Sequence, residues 1–335
     1  MDVARSSLFK SFLRLTLDSR TMLSPIPAFS RLVVTGNDRA KYLHNFCTNQ
    51  VRELPAGSAC EAFFCDVKAR LIAHGYVLAF EDCHEIWMLA GNEVALLQHL
   101  NRYIITEDVT IRSTTASTNA VFAVGVTATA ALLRETDSPD SAFQQPLTCA
   151  RLQFRAENST CSAATALSIV WADTPLLWLA LPTDGPDIRA HISMHVDIES
   201  AQRTFEELRI RESFPIVGQD LTGENMAPEA ERNRSAISYV KGCYLGQEPI
   251  ARLDAMGHVN RALRSVECSV SSDHLLQATV LTSDDVVAGV VTSAVPVEGG
   301  SIGLALIRTS AIHVPLHSVI EGQTVTITIS RLRDS

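Results

Sequence analysis

The residues best suited to chemistry in this chain lie together in the segment 241–248, which reads Lys-Gly-Cys-Tyr-Leu-Gly-Gln-Glu. Cys243 carries its thiol between two glycines, whose backbone can turn sharply or come close to a ligand. A free thiol has a pKa of about 8.5, and positive charge nearby favours the reactive thiolate. Lys241 and Arg252 are placed to supply that charge. The segment therefore predicts a functional cysteine, although a cysteine in such a turn is otherwise most often a small buried apolar residue.

Composition narrows the class of protein that carries this segment. The chain has 335 residues, of which 46% are hydrophobic and 19% charged, which is typical of a globular protein with two or three domains. A net charge of −9 argues against nonspecific nucleic-acid binding, because that requires a cationic face. No uninterrupted apolar run reaches the roughly 18 residues of a transmembrane helix. Neither a nucleic acid nor a membrane is therefore expected as a partner.

The eight cysteines contain no C-x-x-C pair and no zinc-finger spacing, so no metal site is predicted. Without a secretory signal, cysteines in a chain of this size are expected to be reduced thiols, which favours a cytoplasmic location. The first 22 residues contain arginines, serines and leucines, as organelle-targeting peptides do, but Asp2 and Asp18 count against that interpretation. The mitochondrial matrix is kept as the alternative location.

A first mixed α/β unit is predicted upstream of the segment, over 25–118. A short β-type run at 32–36 precedes Asn37-Asp38, which can cap a helix. Three β-rich runs between 60 and 89 are expected to pair as antiparallel strands. Asn92 is expected to cap a second amphipathic helix.

Two further units follow in the sequence. Residues 119–200 repeat the α/β mixture and include a predicted helix at 188–195, with exposed loops at 136–146 and 156–164. The tail, 263–335, has β-type runs and almost no helical period, which predicts a β-barrel or sandwich.

The segment 241–248, together with the residues that follow it to Arg261, resembles the YgfZ family, whose signature is K-G-C-Y-x-G-Q-E. These are tetrahydrofolate-binding proteins that support iron-sulfur cluster assembly and repair, and they are related to the aminomethyltransferase (T-protein) of the glycine cleavage system. The resemblance implies an α+β fold: a three-domain ring around a folate channel, with two interleaved mixed α/β domains and a C-terminal β-barrel. Residues 201–262 would then complete the first domain. Weaker matches lie at 34–38, 42–43, 48, 65–68 and 289–293.

The resemblance also implies tetrahydrofolate, or a folate derivative, as cofactor and iron-sulfur client or assembly proteins as partners. Glutamine and glutamate suit the donor and acceptor edge of a pterin, and cationic side chains suit its anionic glutamate tail. Glu212 corresponds to a folate-binding glutamate of T-proteins, with Arg211 competing for that position. Cys243 is then the functional thiol, and the candidate folate contacts are Lys241, Tyr244, Gln247, Glu248, Arg252 and Glu212.

Two other classes of function stay open. A true aminomethyltransferase needs a carboxylate beside the folate nitrogen, which T-proteins carry in a G-G-x-x-D-D-like strand. The matching stretch, 69–74, has no carboxylate, and Asp66 is the nearest one. Ala69 stands where the family usually has glycine, which makes this turn less permissive. The other class is a noncatalytic module that binds folate as a structural ligand, with Cys243 incidental.

Overall fold

The structure, a computed structural model, describes residues 22–90, 92–134, 136–137, 143–154, 163–184, 198–257 and 259–330. The helix predicted at 188–195 lies outside these ranges. The helices are α1 (Arg39–Phe46), α2 (Glu93–Asn101), α3 (Gly125–Arg134), α4 (Ile198–Arg211), α5 (Asn233–Ala236), α6 (Gln247–Met256) and α7 (Ser272–Leu275). The strands are β1 (Met22–Pro25), β2 (Phe29–Thr35), β3 (Ala59–Cys65), β4 (Leu71–Ala79), β5 (His84–Leu89), β6 (Thr110–Ser113), β7 (Thr118–Val124), β8 (Cys149–Gln153), β9 (Ala163–Trp171), β10 (Thr174–Pro182), β11 (Arg261–Cys268), β12 (Thr279–Thr282), β13 (Val287–Val297), β14 (Gly300–Arg308), β15 (Leu316–Ile320) and β16 (Gln323–Ile329). None of the helices in the described ranges combines the length and apolar character needed to cross a bilayer.

The first sheet has the strand order β3-β4-β5-β2-β6, with antiparallel neighbours. Successive side chains of a strand point to opposite faces, and along β5 both sets are buried. Ile86 and Met88 pack in a core with residues of α1 and α2. Trp87 and Leu89 pack in a second core with residues of the other sheet. The sheet is therefore covered on both faces, which explains its nearly continuous apolar strands.

The second sheet has the order β1-β7-β10-β9-β8, and α3 packs on its outer face. Trp171 and Trp178 of this sheet pack edge to face, with ring centroids 5.2 Å apart. Strand β1 precedes the whole first sheet in sequence, yet it pairs with β7 of the second sheet. The two sheets are thus interleaved along the chain.

The C-terminal strands close into a barrel in the order β11-β14-β13-β12-β15-β16, which confirms the predicted all-β tail and, with the two sheets, the α+β fold class. A register shift between Val291 and Ser293 interrupts the pairing of β13 with β14. The hydroxyl groups of Thr292 and Ser293 donate to the buried carboxylate of Asp220. The same carboxylate accepts a hydrogen bond of 2.7 Å from the buried Arg209 of α4. This network holds α4 and the loop after it against the barrel.

The predicted N-cap positions of α1 and α2 are confirmed, but the side chains there do not cap the helices. Asp38 lies at the N-cap of α1 and Asn92 at that of α2, but neither side chain bonds to its helix. The carboxylate of Asp38 accepts the N–H of Asp108 at 2.9 Å, and the amide of Asn92 donates to the carbonyl of Val217 at 3.0 Å. Both side chains connect their helix to a distant part of the chain, which a local pattern does not reveal.

Candidate functional site

The loop that carries Cys243 lies across the C-terminal end of α1. The N–H of Leu245 donates to the carbonyl of Asn45 at 2.9 Å, and the N–H of Ser238 donates to the carbonyl of Thr48 at 2.8 Å. Cys243 is exposed between these two anchored positions. The chain therefore presents the thiol at the surface on a loop that is fixed on both sides.

Lys241 provides the strongest anchor of this loop. Its ammonium nitrogen, Nζ, donates to the carbonyls of His44 at 2.6 Å, Cys47 at 2.7 Å and Asn49 at 2.8 Å. The last carbonyls of a helix have no partner within the helix, and a cation is favourable at that end of the helix dipole. Burial lowers the pKa of Lys241, and Nζ also lies 4.8 Å from the ring centroid of Tyr244. Lys241 therefore fixes the loop on α1.

Position 246 requires glycine for two reasons, its backbone conformation and the lack of space for a side chain. Its φ is +83°, and a Cβ built on it would lie 2.6 Å from the carbonyl oxygen of Asp66. That carbonyl belongs to the turn between β3 and β4, where one carboxylate oxygen of Asp66 accepts the N–H groups of Lys68 at 2.8 Å and Arg70 at 2.9 Å. Ala69 of this turn is buried with a φ of +61°, the left-handed region that costs about 1 kcal/mol for a residue with a Cβ. The signature loop thus packs directly on a tight turn.

The other predicted site residues of the segment, and Arg252 of α6, differ in burial. Tyr244 lies in the core between the first sheet and the barrel, and burial raises the pKa of its phenol. Gln247 begins α6 and is half-buried. Glu248 and Arg252 lie on the outer face of α6, where their side chains are 88% and 69% exposed and approach within 3.3 Å of each other. The structure therefore leaves Glu248 and Arg252 accessible, whereas Lys241 and Tyr244 are part of the fold.

Glu212 lies apart from the segment, in a buried polar cluster. Its carboxylate accepts the N–H of Ala172 at 2.9 Å and approaches the guanidinium of Arg232 at 3.4 Å. Arg232 also binds both carboxylate oxygens of Glu61, and a ring nitrogen of His74 lies 2.8 Å from the same carboxylate. Burial acts to raise the pKa of Glu61, but Arg232 and His74 outweigh it and hold this pKa at about 2.

Sequence reasoning found only Glu212 of this cluster, because its members are separated by more than ten residues along the chain and no local motif connects them. It also missed His44, whose carbonyl accepts from Lys241 and whose imidazole lies beside Gly242. The signal that points to both is burial of an ionisable side chain, which becomes visible only in the fold.

The chain has a T-protein-like fold. It superposes on the glycine cleavage system aminomethyltransferase T from Bartonella henselae with a TM-score of 0.77, over 97% of this chain and 88% of that one. The two sequences are 13% identical, so this similarity shows the shared fold.

Sequence relatives then narrow the class. The chain is 26% identical over 284 residues to the tRNA-modifying protein YgfZ of Yersinia enterocolitica, covering 78% of this chain and 73% of that protein. It is 26% identical over 313 residues to an Arabidopsis thaliana protein whose name assigns it to the transferases and to the chloroplast, covering 92% of this chain and 69% of that protein. No protein-family model matches the chain. The chain is a relative of the YgfZ proteins with the fold of T-protein, which confirms the resemblance inferred from the segment 241–248.

Proposed function

We propose that this protein binds tetrahydrofolate and supports iron-sulfur cluster assembly or repair, with Cys243 as its functional thiol. The observation that carries the proposal is the combination of exposure and fixation. The thiol is at the surface, while Lys241 and Leu245 attach the loop to the end of α1 on both sides of it. An accessible thiol can act as a thiolate in redox exchange or as a soft ligand for iron.

Folate binding is supported by two acceptor atoms near the loop. Oε1 of Gln50 and Oδ1 of Asn233 are buried and have no hydrogen-bond partner in the described part of the chain. The stretches that carry them are joined, because the side chain of Asn49 donates to the carbonyl of Ser235 at 2.9 Å. A buried polar atom without a partner costs about 1–3 kcal/mol, so this region suits a ligand with several donors. The amino and N–H groups of a pterin supply such donors.

The predicted ligand residues take different parts in this proposal. Gln247, Glu248 and Arg252 of α6 are the predicted residues that would reach a bound folate from the surface, with Arg252 meeting the anionic glutamate tail. Lys241 and Tyr244 act through the position of the loop. Glu212 would contribute from its own cluster, through the carboxylate that Arg232 orients.

Binding is tested by the thermal unfolding of the full chain with tetrahydrofolate. A ligand that binds only the native state stabilises it by about 2.7 kcal/mol at 100 times its Kd, so the Tm should rise with ligand concentration. An unchanged Tm at saturating tetrahydrofolate would reject folate binding.

The thiol is tested by Cys243→Ser, with Cys268→Ser as the matched control. Cys268 is half-buried on β11 of the barrel, away from the segment. Serine is close to cysteine in size but cannot supply a soft thiolate. We expect Cys243→Ser to fold and to bind folate, but not to restore iron-sulfur enzyme activity in cells that lack this protein. Cys268→Ser should restore that activity. Full restoration by Cys243→Ser would show that the thiol is not needed.

The second candidate is a folate-dependent aminomethyltransferase, which the T-protein fold favours. Against it, Asp66 uses one carboxylate oxygen to hold the turn of residues 66–70. The test is methylene transfer from an aminomethyl-lipoyl donor, in the wild-type chain and in Asp66→Asn, which keeps an acceptor oxygen for the turn. Turnover that Asp66→Asn abolishes would replace the accessory function with this one.

A further inference from the structure

His44 lies at the end of α1, under the loop that carries Cys243. Two consecutive carbonyls of α1 receive the loop, since Lys241 donates to His44 and Leu245 donates to Asn45. Cys243 is the central residue between Lys241 and Leu245. The backbone of Cys243 is therefore held next to the turn of helix that carries the His44 side chain.

The imidazole of His44 has one free edge, and that edge faces the loop. His44 is 3% exposed, and its Nε2 has no hydrogen-bond partner among the described residues. A Cβ built on Gly242 would lie 3.8 Å from this Nε2, without a closer contact. Gly242 does not have a positive φ, so neither its backbone conformation nor a clash requires glycine there. The missing side chain instead leaves Nε2 uncovered at the residue that precedes Cys243.

The other ring nitrogen determines what Nε2 can do. Nδ1 accepts the N–H of Arg52 at 3.4 Å, which selects the tautomer with hydrogen on Nε2. Burial, with the positive charges of Lys241 and Arg52 added, lowers the pKa of His44 to about 4. The ring is therefore neutral near pH 7, and its basic lone pair is engaged. Nε2 is a neutral hydrogen-bond donor and cannot act as a base toward a thiol.

We propose that His44 is a positioning residue whose Nε2–H donates a hydrogen bond to the deprotonated sulfur of Cys243 across the gap left by Gly242. This inference rests on the proposed role of Cys243 as a functional thiol. A neutral donor stabilises the thiolate and fixes its direction without placing a second cation beside Lys241. The Nε2–H group of His44 thus stabilises the thiolate of Cys243 relative to the thiol.

The test is the rate of Cys243 alkylation by iodoacetamide as a function of pH, followed on the Cys243 peptide by mass spectrometry in the full chain without folate. We expect His44→Leu to raise the pH midpoint by about one unit, which is about a tenfold lower rate at a fixed pH below the midpoint. His44→Gln retains an N–H donor and should stay close to the wild type. A folded His44→Leu variant with an unchanged midpoint would overturn the proposal.

A second variant keeps the test decisive if His44→Leu fails to fold. Gly242→Val leaves His44 in place but covers its Nε2, so it should raise the midpoint as well, and an unchanged midpoint would again reject the hydrogen bond. His84→Leu is the control, because His84 is a buried histidine of β5 away from the loop, and it should leave the midpoint unchanged. The Tm of each protein with tetrahydrofolate separates the two proposals, since folate binding can fail while the alkylation midpoints still shift.

Discussion

The loop 241–246 and helix α6 follow each other in the sequence, but their cationic side chains have different environments. The cation of the loop is buried and bonded to the protein, whereas the cation of α6 is exposed. Lys241 is buried and donates to three carbonyls at the end of α1. Arg252 is 69% exposed on α6 and approaches Glu248, itself 88% exposed, at 3.3 Å. Lys241 and Arg252 carry the same charge, and the sequence makes them equally suited to stabilise a thiolate or to bind an anionic ligand. Burial decides that the first holds the loop in place and the second remains available to a ligand.

The largest expected difference between these regions is in stability. Lys241→Met removes the donor from three carbonyls and should lower the free energy of unfolding by about 3 kcal/mol, because buried acceptors without partners are costly. Arg252→Met is the control and should change it by less than about 0.5 kcal/mol. Urea denaturation measures both. Equal losses in the two variants would contradict the division into an anchor and an accessible cation.

The next expected effect separates the two glycines of the loop. Gly246→Ala places a Cβ against the carbonyl of Asp66 at a φ of +83°, and should cost about 2 kcal/mol. Gly242→Ala brings its Cβ only into ordinary van der Waals contact with Nε2 of His44, at 3.8 Å, and should change the free energy of unfolding by less than about 0.5 kcal/mol. The comparison uses the same denaturation measurement. A large loss in Gly242→Ala would mean that this glycine serves the backbone and not access to His44.

The smallest expected effect concerns ligand affinity on the exposed side. Arg252→Ala should weaken polyglutamylated folate about fivefold, which corresponds to about 1 kcal/mol for an exposed ionic contact, and should leave the monoglutamate nearly unchanged. Arg203→Ala is the matched control, because Arg203 forms the same kind of exposed pair with Glu199 on α4. Titration calorimetry with both folates measures the difference. Equal losses for the two folates would place Arg252 away from the tail.

Local patterns predicted much of the architecture. The β-type runs of the tail predicted a barrel, and the alternation of apolar stretches with turns predicted antiparallel strands in the first unit; both are present. Asp38 and Asn92 lie at the predicted N-caps, but their side chains bond to Asp108 and Val217 and not to their own helices. Propensity and periodicity act over a few residues, so they specify an element more reliably than the partner of a particular side chain.

The sequence by itself determined which reactive and polar residue types lie together in the segment 241–248. One segment combines a thiol, two glycines and polar side chains, and its order of residue types was sufficient to indicate the family. That information is local, because the residues of the segment are neighbours in the chain.

Only the tertiary structure decided which of those residues anchor the loop of Cys243 and which side chains surround that loop. Lys241 reaches carbonyls almost two hundred residues away, and Glu61 pairs with Arg232 across a similar separation. His44 becomes a neutral donor because the fold buries it, places Arg52 on its Nδ1 and leaves Gly242 opposite its Nε2. Burial and charge at a side chain are set by whatever the fold packs around it, and long-range contacts of this kind are not encoded in the spacing of a motif.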